Sequence, residues 1–214
     1  MSKFIIIFLL IPFTTLFGQT LRFDVMVKYS TSQNEYYSER TTYGISTNNN
    51  YIMQIFNNNH NKSMTAKVFD LKYLKIYEYN VIEEKSKTET AEIKFVYSNT
   101  YSFSGYFPHL SYIQNIYFDF EKVAIENDIE TVKLTFYKNK SKTKPKKNIE
   151  LKILKSEINL FHLFRFTCLH TLECLNELNY VNLGLVTSAI SENGSLKHTL
   201  ITFEETSLEL SLPN

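Results

Sequence analysis

A chain of 214 residues allows one domain, at most with a small appendage. Hydrophobic residues at 43% and aromatics at 15% suffice for a packed core and exclude wholesale disorder. A net charge of +1 gives no global reason to bind nucleic acid, so charge has to be argued locally.

Lys3 followed by the uncharged run 4–17, FIIIFLLIPFTTLF, reads as a secretory signal peptide. Small Gly18 suits the last position before the cut and leaves Gln19 as the mature N-terminus. Leu16 is larger than the small residue favoured two places before a cut, which loosens the cut site but not the signal. The predicted organisation is therefore 1–18 signal peptide and 19–214 single domain. An uncleaved anchor is the rival reading. It needs roughly 20 apolar residues, and this run has fourteen. No Cys lies near the cut, which argues against a lipid anchor, so the expected product is soluble, in the periplasm or outside the cell.

Seventeen Phe and fifteen Tyr against five Gly and four Pro favour strands over loops. Leu21, Phe23, Val25, Val27 and Tyr29 alternate with Arg22, Asp24, Met26, Lys28 and Ser30, as in a half-buried strand. A turn is expected over 30–34, then strands over 39–46 and 51–56, with an Asn-rich hairpin turn at 47–50. After a polar turn at 57–62, segments 66–70 and 73–81 read as two strands or one bent one. Ala91, Ile93, Phe95 and Tyr97 start another strand that Tyr101, Phe103 and Phe107 continue to Pro108. Residues 110–114 suit a helical turn, and Ile116, Phe118 and Phe120 then share one face.

Val132, Leu134 and Phe136 occupy even positions, and Lys138, Lys140, Lys142, Lys144 and Lys146 continue them. This predicts a hairpin whose face turns from apolar to cationic toward its tip, the chain returning through Ile149, Leu151 and Ile153. Glu192-Asn193-Gly194-Ser195 marks a hairpin between strands 184–191 and 196–203, because a type I′ turn needs positive φ twice. Leu208, Leu210 and Leu212 suggest a last, separate strand.

The exception to period two is 158–178, INLFHLFRFTCLHTLECLNEL. Cys168, Leu172, Leu175 and Leu178 form a helical stripe with Phe161 and Phe164. A strand reading of Leu160, His162, Phe164 and Phe166 competes, but length and the Leu-rich second half favour a helix near 160–178. Arg165, Glu173 and Glu177 bar it from spanning a membrane.

No motif of catalytic or metal specificity stands out, and no cofactor or site residue is predicted. On a continuous helix Cys168 and Cys174 lie about 10 Å apart, beyond the roughly 7 Å a disulfide allows. Helix and bridge exclude each other, and two unbridged, buried cysteines are favoured. His170 and Cys174 share a helical face but lack the second ligand pair that a zinc site needs. His60, His109, His162, His170 and His198 are scattered, and Gly-x-Ser-x-Gly is absent. The pairs Glu83–Glu84 and Glu204–Glu205 point to opposite faces of a strand, so they form no acid/base pair.

The six lysines of 138–147 are first a solvated hairpin tip. Their functional reading is attraction to an anionic membrane surface. Tyr137 is the only aromatic near them, which weakens any nucleic-acid reading.

The order of a signal segment, the 21–29 strand, successive strands and the 160–178 helix resembles the LolA-like periplasmic lipoprotein carriers. That resemblance implies an unclosed barrel whose apolar concave face holds acyl chains under a helical lid. Leu183-Gly184-Leu185-Val186 is a partial echo of the GLPGLI family of exported bacterial β-proteins, without that family's prolines and duplicated Gly-Leu. The expected architecture is mainly β (α+β), a curved antiparallel sheet or open half-barrel packed on one principal helix. The expected function is binding of a lipid, lipoprotein acyl chain or other amphiphile in a groove between sheet and helix. The alternative is an exported structural or protein-interaction module with no pocket.

Overall fold

The computed structural model describes residues 18–58, 63–85, 91–107, 116–169, 172 and 177–213. Their strands are β1 (Thr20–Gln33), β2 (Tyr36–Ile45), β3 (Asn48–Asn58), β4 (Ser63–Asp70), β5 (Lys75–Lys85), β6 (Ala91–Ser102), β7 (Tyr117–Glu126), β8 (Ile129–Tyr137), β9 (Pro145–Lys155), β10 (Gly184–Ser191) and β11 (Leu196–Ser211). Two helices interrupt them, α1 (Phe103–Tyr106) and α2 (Phe161–Cys168). The chain is mainly β, as its composition implied.

All the described strands join one open antiparallel sheet in the order β6-β5-β4-β3-β2-β1-β11-β10-β9-β8-β7. It consists of two meanders, β1–β6 and β7–β11, sewn together by the pairing of β1 with β11 from Thr20↔Ser211 to Gln33↔Leu196. The two free edges, β6 and β7, are consecutive in the chain. Both chain ends of the sheet lie together, and the Leu212 N–H donates to the Gln19 carbonyl at 2.8 Å.

Alternation puts Val25, Val27 and Tyr29 of β1 on the α2 side with Ile52, Phe69 and Ile76. The cross-strand registers Ile52↔Phe69 and Phe69↔Ile76 place those three on one face. Tyr51, Met53, Val68, Tyr77 and Tyr79 point the other way. They pack with Leu21, Phe23, Leu210 and Leu212 from the ends of β1 and β11. Strands β3 to β5 are thus buried on both faces, which explains why β3 reads as a continuous run, Tyr51-Ile52-Met53, rather than an alternating one.

α2 packs against β1, β2 and β10, and all eight of its residues are buried. Gly44 of β2 makes this approach possible, because a Cβ there would lie 2.5 Å from Leu163 Cδ2. Phe166 meets Phe69 of β4 with ring centroids 4.6 Å apart, and Phe161 meets Phe120 of β7 at 5.6 Å. Strands from both halves of the sheet therefore reach the same helix.

Several expectations are corrected. The helix ends at Cys168 instead of running to Leu178. A straight continuation would carry Leu178 about 15 Å past Cys168. Instead the Leu178 carbonyl accepts from Arg165 Nη1 at 3.0 Å and the Tyr180 carbonyl accepts from Asn159 Nδ2, which places Leu178 and Tyr180 alongside α2. Phe103 does not extend β6 but enters α1: the Ser102 hydroxyl accepts from the Gly105 N–H, and Phe103 and Phe107 turn onto Phe69. β1 continues to Gln33 before turning at Asn34, whose φ is 53°.

The segments 66–70 and 73–81 are two strands, β4 and β5, because the Asp70 carboxylate accepts from the Lys72 and Tyr73 N–H groups and closes the turn. Asn48, Asn49 and Asn50 belong to β3, the turn being Ser46-Thr47. The 192–195 loop has one positive φ, at Gly194, and Asn193 Oδ1 closes it by accepting from Ser191 Oγ and from the Ser195 N–H. Leu208 and Leu210 belong to β11, a single strand of 16 residues. The signal segment 1–17, the 59–62 part of the polar turn and the 110–114 helical turn lie outside the described residues, as does Cys174. Among the described residues, no helix is long and apolar enough to cross a membrane.

Candidate functional site: a lysine-rich end with a polar cleft

The β8–β9 hairpin tip is a closed loop rather than a continued strand face. Lys138 N–H donates to the Lys144 carbonyl at 3.0 Å, and Lys142 takes a φ of 54°. Inside the loop Asn139 Nδ2 donates to Ser141 Oγ at 2.6 Å and Thr143 Oγ1 at 2.8 Å, while its Oδ1 accepts from the Lys144 N–H. Short polar side chains thus satisfy the turn internally, and the lysines are left pointing outward. Lys142 pairs with Asp119 at 3.4 Å. Among the described residues, the other five lysines of 138–147 have no carboxylate partner.

Pairing in the order β1-β11-β10-β9 brings the end of β1, the start of β9 and the β10–β11 turn to this same end. Between them lies an open cleft of about 600 Å³ lined by Gln33, Lys146, Lys147, Asn148 and residues of 191–196. Asn148 Nδ2 donates to Glu192 Oε2 at 2.8 Å, and its buried Oδ1 has no partner. Loss of water around the Lys147 ammonium, then repulsion from Lys146, hold Lys147 below the ordinary lysine pKa. The residue remains exposed over much of its surface, so the crowding is at the charge itself. Sequence reasoning found the lysines but not Gln33, Asn148 or the 191–196 turn as their neighbours. The only signal available was turn chemistry, which says nothing about which turns meet.

The other candidates disperse. His162 and His198 are buried, and both are pushed down to about 4. For His162 the causes are desolvation, then Arg165; for His198 they are desolvation, then Lys147 and Arg40. His198 Nδ1 bonds Thr31 Oγ1 at 2.9 Å. Cys168 is a free buried thiol whose pKa is raised by desolvation. As the last helical residue, it no longer supports the helix-spacing argument about Cys174. His60, His109 and His170 fall outside the described residues. Glu204 and Glu205 pair with Met26 and Val25 in turn and face opposite ways. No group of three metal-ligating side chains occurs among the described residues.

The trough beneath α2 is filled by Phe161, Leu163, Phe164 and Phe166, all buried. Some of its polar residues pair with one another, whereas the buried Nε2 atoms of His162 and His198 have no hydrogen-bond partner among the described residues. Gln54 Nε2 donates to Thr42 Oγ1 at 3.0 Å, and Thr167 Oγ1 lies 2.8 Å from Thr42 Oγ1 and donates to the Leu163 carbonyl. No protein-family model matches this chain, and no curated protein matches it.

Proposed function

We propose that the chain is an exported binding module that acts through its surface, docking its lysine-rich end on the anionic headgroups of a membrane. The observation that carries this reading is the contrast between the filled trough and the five lysines of 138–147 without carboxylate partners. Lysines near an anionic surface contribute about 1 kcal/mol each, roughly five-fold in affinity.

Vesicle sedimentation tests the reading. The protein should bind phosphatidylcholine vesicles containing phosphatidylglycerol more tightly than phosphatidylcholine alone, and the difference should fade with salt. Removing charge from Lys138, Lys140 and Lys144 by Gln substitution should weaken binding roughly five-fold per lysine. Equal binding to both vesicle types, from the apolar N-terminal segment or any other source, would remove the proposal.

Carriage of acyl chains in an open half-barrel is the second reading, and α2 itself supports it. The helix has eight residues, no side-chain cap from Leu160, and brings His162, Arg165 and Thr167 into an apolar trough. An element so built is easier to displace than a long amphipathic lid. Native mass spectrometry decides this reading: a stoichiometric adduct matching an extracted lipid puts carriage first, and a clean mass after adding fatty acids and phospholipids sinks it.

A further inference from the structure

The cleft beside the lysine tip carries more than diffuse charge. Lys146 and Lys147 are consecutive, both line it, and among the described residues neither has an anionic partner. Glu192 is the only carboxylate in the lining, and it is held by Asn148 Nδ2. Gln33 projects from the exposed end of β1 with its amide uncommitted. The turn opposite is closed by its own hydrogen bonds: Ser191 Oγ accepts from the Leu196 N–H, and Ser195 Oγ donates to Asn193 Oδ1 at 2.7 Å. The lining sums to one net positive charge and includes the Gln33 amide donor. Two ammonium groups that line one cleft without an ion-pair partner gain from an anion seated between them.

The geometry points to a phosphate-binding subsite in this cleft, with Lys146 and Lys147 donating to the phosphate oxygens and the Gln33 amide closing the rim. The expected source is the headgroup of a phospholipid, and in that respect the inference rests on the membrane-docking reading. A soluble phosphomonoester shares the chemistry and is the competing source.

Two arms separate them. In the first, vesicles containing phosphatidic acid are bound by the full chain and by two charge-matched double variants, Lys146→Gln with Lys147→Gln, and Lys138→Gln with Lys140→Gln. A phosphate subsite predicts that the cleft pair loses several-fold more affinity than the tip pair. In the second, glycerol 3-phosphate is titrated into ¹⁵N-labelled protein, and saturable shifts are expected at the Asn148, Asn193 and Ser195 amides, absent from the cleft variant. Gln33→Lys adds a cation at an exposed position with no packing role and should tighten both. Saturable shifts without vesicle binding would keep the phosphate site with a soluble source and overturn the membrane reading alone. Equal losses in the two double variants together with no saturable shifts would overturn the subsite.

Discussion

At Gly184 the start of β10 has no room for a side chain. A Cβ there would lie 2.6 Å from Ile153 Cγ2 and 2.9 Å from the Leu154 carbonyl oxygen. The second neighbour is backbone of β9, and the Gly184 carbonyl also accepts from the Leu160 N–H just before α2. Gly184→Ala must therefore shift the strand, the route into the helix, or both, and should cost about 1–3 kcal/mol. At Gly44 the three nearest atoms all belong to the Leu163 side chain, which yields more readily than backbone, so Gly44→Ala should cost less. Urea midpoints of the two variants give the order, and a larger loss at Gly44 would show that α2 is the more rigid neighbour. Gly194 differs again: its φ is +68° with nothing within 4 Å, so its demand is on backbone angle alone. That glycine was legible beforehand as turn chemistry. The other two were not, because what crowds them comes from distant parts of the chain.

Helix α2 cannot stand alone, being shorter than the ~12–15 residues an isolated helix needs. Its stability comes from the trough, which buries two histidines. His162 sits on α2, and His198 of β11 meets Phe164 with ring centroids 6.0 Å apart. In the unfolded chain each histidine takes a proton near pH 6.5, whereas in the folded chain each waits until about pH 4. The unfolded state thus binds more protons across that interval. Stability is complete above pH 6.5 and declines as pH falls toward 4. The ceiling is about 3 kcal/mol per histidine, at 1.36 kcal/mol per pKa unit.

The stability contributed by the lowered carboxylates Glu39 and Glu130 starts to fall about one unit above their ordinary 4.5, so urea unfolding between pH 7.5 and about 5.5 reads the histidines with the least contribution from them. His162→Gln should flatten part of that slope. An unchanged slope would mean that the folded protein already admits the proton. The existence of a helix after Asn159 was readable from the break in period two. Its length was not, because the sequence after Cys168 carries a helical stripe, and nothing local says that Arg165 and Asn159 bond the Leu178 and Tyr180 carbonyls.

Strand existence was legible almost throughout, since alternation such as Val25, Val27 and Tyr29 is set locally by one buried face. Strand order was not, because nothing local says that β1 should meet β11. The cleft shares that fate, assembled as it is from three ends that only the pairing order brings together. The same order makes a testable statement about the whole molecule. No pairing among the described strands joins β6 to β7, while Gln19 and Leu212 are already in contact. A circular permutant that joins those ends and opens the chain between α1 and β7 keeps every described pairing. It should reach the same far-ultraviolet spectrum. It should also refold several-fold faster, because the β1–β11 contact becomes local and no longer waits for closure of nearly the whole chain. Refolding that is unchanged or slower would show that the β1–β11 pairing is not what limits folding.

The β1–β11 seam also decides how the molecule yields to force. Its strands are antiparallel with Thr20 facing Ser211 at one end, so tension applied through the two chain ends pulls the pair apart like a zipper. Hydrogen bonds along the seam are then loaded one after another instead of all together in shear. A sheet whose ladders are individually strong is, along this one axis, mechanically soft.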